Sequence, residues 1–284
     1  MLPDADKLGR GTAAMMLLRD LVHERTGLHY DDGRCDTMAD RLAPLVSARG
    51  FGSFLDYYYF LKYDPAGEAE WVPVLDALSV TETYFWREID QLRAIAHVIV
   101  PQLIQRKGVA RVWCVPCATG EEPLTLAMLL DQQGLFERGS IEIRASDGSE
   151  AALAKAREGL YRERSFRALP RHLLEQYFTP EAGRWRVVSR LHQRVLSWDR
   201  VNLMDETDVR RRGRVDVVLC RNVFIYFSEP GIRHVVDTLA EVMNTPGYLC
   251  VGAAESLLRV TTRFDLQQIA DAFVYVKRTH GEAA

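Results

Sequence analysis

The stretch Arg111–Leu130, RVWCVPCATGEEPLTLAMLL, decides the fold, because a short apolar run passes through a turn into a helical pattern. The run Arg111–Val115 has the length of a buried strand, and apolar residues recur at helical spacing from Leu124 onward. Gly120, in the turn, lets the backbone approach a ligand, and the N-terminus of the following helix stabilises negative charge. Ligands of open α/β sheets bind beyond the carboxyl ends of the strands, so this turn is the first candidate site.

Similar apolar runs follow towards the C-terminus, with helical patterns between most of them. This alternation predicts an α/β fold with a mostly parallel sheet and helices on both faces. The stretch Trp185–Trp198 is short, alternating and preceded by Gly183, which predicts a small antiparallel insertion. The other runs are Ile141–Ser146, Val215–Cys220, Tyr248–Gly252 and Ala272–Val276.

The N-terminal quarter has a different, all-helical pattern. Pro44 interrupts the second helical pattern and predicts a break or kink there. We therefore expect a helical domain over residues 1–80 and an α/β domain over 81–284, with the β insertion at about 177–200. The predicted helices are Thr12–Arg25, Thr37–Arg49, Ser53–Lys62 and Glu68–Leu78.

The composition is that of a globular protein. Hydrophobic residues make up 48% and charged residues 26% of 284, which excludes wholesale disorder, collagen-like fibres and coiled coils. The net charge of −3 gives no case for nucleic-acid binding. No run approaches the roughly 18 apolar residues of a membrane span, and the start, Met1–Thr12, is polar. We expect a cytoplasmic protein without membrane insertion.

The acidic residues near the strand ends are candidates for ligand binding. The chain has neither a G-x-G-x-x-G motif nor a Walker lysine after the first run, which disfavours dinucleotides and triphosphates. Glu121 and Glu122 can accept hydrogen bonds from an ammonium group, and Asp147 follows the second run, where an acidic side chain binds ribose hydroxyls. The plainer alternative is that these residues are acidic caps at helix starts.

The pair Cys114-x-x-Cys117 suggests a redox motif or half of a zinc site. A structural zinc site needs four ligands, and Cys220 and Cys250 are isolated rather than paired at ligand spacing. We therefore expect no metal, and we expect Cys114 and Cys117 to be buried as small apolar residues.

Five blocks, in order, resemble the CheR-type chemotaxis-receptor methyltransferases. The resemblance implies a Rossmann-like domain that binds S-adenosylmethionine, preceded by an all-α domain. It also implies methyl transfer to glutamate side chains on the cytoplasmic helical domain of a methyl-accepting chemoreceptor, giving a glutamyl methyl ester and S-adenosylhomocysteine. The blocks are Thr81–Arg87 (TETYFWR), Cys114–Leu130, Ala145–Asp147 with Ala154–Tyr161, Cys220–Phe227 (CRNVFIYF) and Gly247–Leu257 (GYLCVGAAESL).

The resemblance also implies site residues. Arg87 would fix the incoming carboxylate and Tyr226 would orient it, while Asp147 would bind the ribose hydroxyls. Without the resemblance, Arg87 and Arg221 can be ion-pair arginines, Tyr226 can pack in the core and Asn222 can form a turn. The positions that match cofactor contacts of the family, with Gly120 of the loop, are Thr81, Thr83, Arg87, Glu122, Asp147, Asn202, Leu203, Arg221 and Asn222.

Two features bear on the partner. Only six residues, Thr179–Arg184, separate Phe178 from Trp185, whereas relatives that dock on a receptor's C-terminal tether peptide have a longer loop, so we expect no tether dependence. Residues 157–200 contain ten arginines and five acidic residues. This local positive charge is expected to steer an acidic receptor helix to Arg87, so that activity falls steeply with added salt.

Two other functions remain open from the sequence. A small-molecule methyltransferase can be built on the same scaffold, and a signalling module can bind S-adenosylmethionine without turning it over. A pure sensor would not need both Arg87 and Tyr226 in the cofactor cleft.

Overall fold

Four helices form the N-terminal part of the computed structural model, which describes residues 5–278. Residues 1–4 and 279–284, at the outer ends of the two expected domains, lie outside the described residues. The helices are α1 (Ala13–Thr26), α2 (Cys35–Ala48), α3 (Phe54–Tyr63) and α4 (Gly67–Leu78), which share one apolar core.

The break expected at Pro44 is wrong, because α2 continues through it to Ala48. A proline inside a helix costs about 3 kcal/mol or more through the lost hydrogen bond and the ring clash. Pro44 itself is exposed, whereas Leu42, Ala43 and Val46 are fully buried against the other helices. Burial of this face stabilises the helix against the local cost.

A helical segment connects this part to the main sheet and consists of α5 (Ile89–Ala94), a π-helical turn (Ile95–Ile99) and α6 (Val100–Lys107). The following helices are α7 (Glu121–Gln132), α8 (Glu150–Glu158), α9 (Arg171–Tyr177), α10 (Ser189–His192), α11 (Glu206–Arg210) and α12 (Glu229–Val242).

Within residues 5–278, ten strands form two sheets. The main sheet has the order β6-β2-β1-β7-β8-β10-β9; its first five strands are parallel, and β10 is antiparallel to both neighbours. Apolar clusters cover both faces of this sheet, as expected for the Rossmann-like fold. The strands are β1 (Val109–Cys114), β2 (Ser140–Asp147), β3 (Leu160–Tyr161), β4 (Phe178–Glu181), β5 (Arg184–Val187), β6 (Val195–Arg200), β7 (Val215–Leu219), β8 (Met243–Cys250), β9 (Phe264–Ile269) and β10 (Ala272–Lys277).

The second sheet is the small antiparallel one, of order β3-β5-β4. The expectation that all of Trp185–Trp198 is antiparallel is wrong in its second half, because β6 pairs in parallel with β2. As an edge strand, β6 has one neighbour, and only Val195 of its six residues is buried, so it lacks the continuous apolar run of the central parallel strands. Within residues 5–278, the helices are all too short or too polar to cross a bilayer.

The helical part contacts the α/β part close to the strand ends. Leu28 forms an isolated antiparallel bridge with Phe227, and the His29 amide donates to the Tyr226 carbonyl over 2.8 Å. On α4, Asp76 accepts hydrogen bonds from the Ser149 hydroxyl at 2.7 Å and the Ala151 amide at 3.0 Å, at the start of α8. These contacts close one side of a cleft at the carboxyl ends of β1, β2 and β7.

Candidate functional site

A cleft lies where the strand ends meet the helical part, the position in which open α/β sheets bind ligands. It is built from both parts of the chain, since Thr26, Leu28 and Leu75 line it together with residues from the loops after the strands. The residues selected from the sequence that line it are Thr81, Thr83, Arg87, Glu122, Asp147, Asn202, Leu203, Arg221, Asn222 and Tyr226.

Backbone hydrogen bonds hold the loop after β1, one to the neighbouring strand β2 and one within the loop. The Cys117 amide donates to the Ser146 carbonyl, and the Gly120 amide donates to the Cys117 carbonyl. Gly120 has φ +95°, and a Cβ there would lie 3.0 Å from the Trp198 ring. Gly120 is not among the cleft-lining residues, and its positive φ and the nearby Trp198 ring both favour glycine at this position.

Asp147 is buried at the end of β2, where both carboxylate oxygens accept backbone hydrogen bonds. Oδ2 accepts from the Ala118 amide at 2.7 Å and Oδ1 from the Ser149 amide at 2.8 Å. Burial raises the pKa of Asp147 to about 6, against the opposing effect of these amides. The cap of α8 is Ser149, whose hydroxyl accepts from the Ala152 amide. Asp147 therefore holds the β1 loop and faces the cleft rather than capping a helix.

Glu122 and Arg221 form a buried ion pair in the cleft wall. Arg221 Nη1 donates to Glu122 Oε2 at 2.8 Å, and Nη2 donates to the carbonyls of Arg87 and Glu88 at 3.1 Å each. Burial raises the pKa of Glu122, and the charge of Arg221 opposes this rise. Among the described residues, the buried Glu122 Oε1 has no hydrogen-bond partner. A buried, unpaired carboxylate oxygen beside a cleft is a ready acceptor for a cationic ligand group.

Glu121, the other candidate for an ammonium group, lies outside the cleft lining. It is buried, accepts a hydrogen bond from the Thr119 hydroxyl at 2.6 Å, and has its pKa raised by burial. Arg221 forms an ion pair, as the plainer alternative predicted, and it also lines the cleft. Its side chain is only 1% exposed, and its charge acts directly on the neighbouring carboxylates Glu122 and Glu88.

Arg87 and Tyr226 are more accessible. The Arg87 side chain is 28% exposed; Nη1 donates to the Glu82 carbonyl at 3.2 Å, and its nearest carboxylate is Glu88, 3.7 Å from Nε. Tyr226 is half-buried and lines the cleft, so it is not simply a core residue. A guanidinium with spare donors and a phenol therefore share one cleft with Asp147 and Glu122.

The remaining selected residues shape the cleft. Thr81 and Thr83 are half-buried on the extended segment that joins α4 to α5. The side-chain amide of Asn202 donates to the Arg25 carbonyl at 2.7 Å, and this hydrogen bond connects the loop after β6 to the end of α1. The next residue, Leu203, is buried. Asn222 has φ +58°, as the turn-forming alternative required, and its amide nitrogen donates to Glu88 at 3.1 Å.

The sequence did not single out Thr26, Leu28, Leu75 or Glu88. The first three belong to the helical part: Leu75 has only the helical spacing of a core residue, Thr26 ends α1, and Leu28 lies beyond it in the bridge to Phe227. Glu88 contributes through contacts with residues more than 130 positions away, which no local pattern reveals.

Cys114 and Cys117 are buried, as predicted, and burial raises the pKa of both thiols. Cys220 and Cys250 are buried as well. In the described part of the chain, no group of three or more His, Cys, Asp and Glu residues is arranged to hold a metal ion.

The arginines of residues 157–200 are mostly paired, contrary to the free positive charge expected from the sequence. Arg162, Arg164 and Arg200 have no carboxylate partner among residues 5–278, and all three are exposed. Pairing reduces the field that reaches an approaching ligand, so the steep salt dependence is no longer expected. The pairs are Arg157–Glu150, Arg167–Glu82, Arg171–Glu175, Arg184–Glu158, Arg186–Glu181, Arg190–Asp131 and Arg194–Glu137.

Two family models match most of the chain. The "CheR methyltransferase, all-alpha domain" matches residues 13–79, and the "CheR methyltransferase, SAM binding domain" matches residues 81–273.

Curated relatives agree over nearly the full length. A "Chemotaxis protein methyltransferase 2" of Vibrio cholerae is 31% identical over 269 residues, covering 93% of each chain. A "Chemotaxis protein methyltransferase" of Borreliella burgdorferi is 28% identical, covering 84% of this chain and 86% of the relative. A "Probable biofilm formation methyltransferase WspC" of Pseudomonas putida is 31% identical, covering 93% of this chain and 61% of the relative.

The cleft fits S-adenosylmethionine. Glu122 Oε1, which lacks a partner among the described residues, matches the α-ammonium group of the cofactor, and Asp147 at the end of β2 matches its ribose hydroxyls. The domain that contains both residues is the one matched by the S-adenosylmethionine-binding family model. The cofactor is therefore S-adenosylmethionine, and the chain belongs to the CheR methyltransferase family.

Proposed function

We propose that the protein methylates glutamate side chains on the cytoplasmic helical domain of a bacterial chemoreceptor. The observation that carries this proposal is the shared cleft, in which Arg87 and Tyr226 accompany the residues that fit the cofactor. A carboxylate substrate needs a cation to hold it, and Arg87 has guanidinium donors to spare. Two of the relatives named above are chemotaxis protein methyltransferases.

Catalysis in this proposal is mainly alignment. When bound, S-adenosylmethionine supplies an electrophilic methyl group. The glutamate carboxylate is ionised at neutral pH, so no strong general base is needed. Arg87 would hold one carboxylate oxygen by charge-assisted hydrogen bonds, and the Tyr226 hydroxyl would donate to the carboxylate and orient it. The products would be a glutamyl methyl ester and S-adenosylhomocysteine.

The other proposed roles belong to cofactor binding. Asp147 would accept hydrogen bonds from the ribose hydroxyls, and Glu122 would accept them from the α-ammonium group. Thr81, Thr83, Asn202, Leu203 and Asn222 would line the remaining cofactor surface. The proposed partner is a receptor's cytoplasmic domain, which places the enzyme in the cytoplasm; nucleic acid and membrane insertion have no part in this function.

The deciding experiment incubates the protein with methyl-labelled S-adenosylmethionine and the receptor cytoplasmic domains of its source organism. We expect base-labile label on a receptor, because glutamyl methyl esters hydrolyse in alkali and release methanol. Absence of label on every receptor, with cofactor binding intact, would favour the non-enzymatic sensor. Label on a small metabolite instead would favour a small-molecule methyltransferase.

The same assay tests Arg87. Arg87→Ala should lower kcat/KM for the receptor by roughly 100-fold, because a charge-assisted contact to the carboxylate is lost. Arg93→Ala removes an exposed arginine of α5, 3.5 Å from Asp90, and serves as the matched control with unchanged activity. Full activity of the Arg87 variant would exclude this residue from the mechanism.

We propose that receptor binding does not depend on a C-terminal tether peptide. The strands β4 and β5 are joined by only Ala182 and Gly183, both with positive φ, which is a tight two-residue hairpin turn. So short a connection offers little surface to a peptide. Calorimetric titration with receptor-tail peptides should show no specific binding, and a tight complex would contradict the proposal.

A further inference from the structure

Glu88 lies where three segments of the cleft wall meet. Its backbone has φ +46°, an uncommon conformation for a residue other than glycine. Its Oε1 accepts a hydrogen bond from the side-chain amide of Asn222 at 3.1 Å, and its Oε2 accepts one from the backbone amide of Ala253 at 3.0 Å. Asn222 follows β7 and Ala253 follows β8, so one carboxylate joins the ends of two neighbouring strands to the segment that carries Arg87.

Glu88 also shares Arg221 with Glu122. Arg221 Nη2 lies 3.3 Å from Glu88 Oε2, while Nη1 lies 2.8 Å from Glu122 Oε2. One buried guanidinium therefore serves two carboxylates. Burial opposes ionisation of Glu88, yet the Ala253 amide, the Asn222 amide and the charge of Arg221 together hold its pKa below the ordinary value. Glu88 is thus a second carboxylate, besides Glu122, that forms an ion pair with Arg221.

We propose that Glu88 is a positioning residue for the amino-acid end of the cofactor. By sharing the charge of Arg221, it keeps Glu122 from being fully neutralised and leaves Glu122 Oε1 available to the α-ammonium group. Glu88 is itself not among the cleft-lining residues, so it acts through Arg221 and Glu122. This inference rests on the role of Glu122 in the proposed function and not on the identity of the methyl acceptor.

The test compares two ligands. S-Adenosylhomocysteine carries the α-ammonium group, whereas 5′-methylthioadenosine has the same adenosine without the amino-acid part. In Glu88→Gln, the neutral amide attracts Arg221 less, so Arg221 pairs more closely with Glu122. Calorimetry of the full chain should show a roughly tenfold loss of affinity for S-adenosylhomocysteine and unchanged affinity for 5′-methylthioadenosine.

A merely structural role of Glu88 would weaken both ligands equally, and that result would overturn the inference, as would unchanged binding of both. If Glu88→Gln does not fold, Glu88→Asp replaces it, since it keeps the charge but withdraws the carboxylate by one methylene. The same selective loss is expected, and equal weakening or unchanged binding of both ligands counts against the inference as before.

A double-mutant cycle with Glu122→Gln tests whether Glu88 acts on cofactor binding through Glu122. If Glu88 acts through Glu122, adding Glu88→Gln to the Glu122→Gln variant should cause no further loss of S-adenosylhomocysteine affinity. Additive losses of affinity would show that Glu88 does not act through Glu122 and would overturn the inference. Failure of the wild-type protein to prefer S-adenosylhomocysteine would refute the Glu122 assignment as well. A receptor that remains unmethylated despite this preference would contradict the methyl-acceptor proposal alone.

Discussion

Replacing Arg221 with methionine should destabilise the protein by about 3–5 kcal/mol, because it leaves two carboxylates without their shared cation. The Arg221 side chain is 1% exposed, and Glu122 and Glu88 depend on it for charge compensation. Methionine has a similar length and keeps most of the packing, so the loss reports the uncompensated charges together with the hydrogen bonds that Arg221 donates to the Arg87 and Glu88 carbonyls. Urea unfolding, followed by circular dichroism, measures the change in the free energy of unfolding.

The matched control is Arg233→Met, the same substitution in a surface ion pair. Arg233 and Glu229 are 50% and 67% exposed, and such a pair contributes less than about 1 kcal/mol. Adding Glu122→Gln to Arg221→Met should restore part of the stability, because one stranded charge is removed. An Arg221 variant no less stable than the Arg233 variant would show that the buried pair is not needed for folding.

Part of the candidate site was predictable from the residues alone, because the loop with Gly120 and Glu122 follows β1 and Asp147 ends β2; the other site residues were selected through the family resemblance. The strand, turn and helix around Gly120, and the acidic residue at the end of β2, follow from local periodicity and from the geometry of parallel sheets. The fold class followed for the same reason, since each strand of the main sheet except β6 and β9 appeared as a short apolar run. The edge strand β9 was missed because most of its residues are exposed or half-buried.

The remaining features depend on long-range contacts. β6 was assigned to the wrong sheet because it is an edge strand with one buried residue, Val195, and lacks the apolar run of the central parallel strands. The packing of Gly120 could not be predicted, because its close neighbour, Trp198, lies 78 positions away in the chain. Glu88 was overlooked because it contacts Arg221, Asn222 and Ala253, which only the folded chain brings together.

Asp147→Asn should weaken S-adenosylhomocysteine binding by roughly 100-fold, because the ribose hydroxyls lose a charged acceptor. The asparagine also cannot accept hydrogen bonds at both terminal atoms, whereas Asp147 accepts from the Ala118 and Ser149 amides. The control is Asp76→Asn, which alters a carboxylate bound to the same start of α8 but outside the cleft lining. It should leave affinity largely unchanged in the same calorimetric titration.

The pH dependence of ligand affinity distinguishes the contribution of Asp147 from that of the other cleft carboxylates. Burial raises the pKa of Asp147 to about 6, so its acceptor charge is present above that pH and is lost as pH falls through it. Affinity for 5′-methylthioadenosine, which has the ribose but no ammonium group for Glu122, should therefore fall below about pH 6 in the wild-type protein. In Asp147→Asn it should be weak and independent of pH between 5 and 8 (roughly the range over which the wild-type carboxylate titrates). A wild-type affinity that stays constant across this range would show that the ribose does not bind through Asp147.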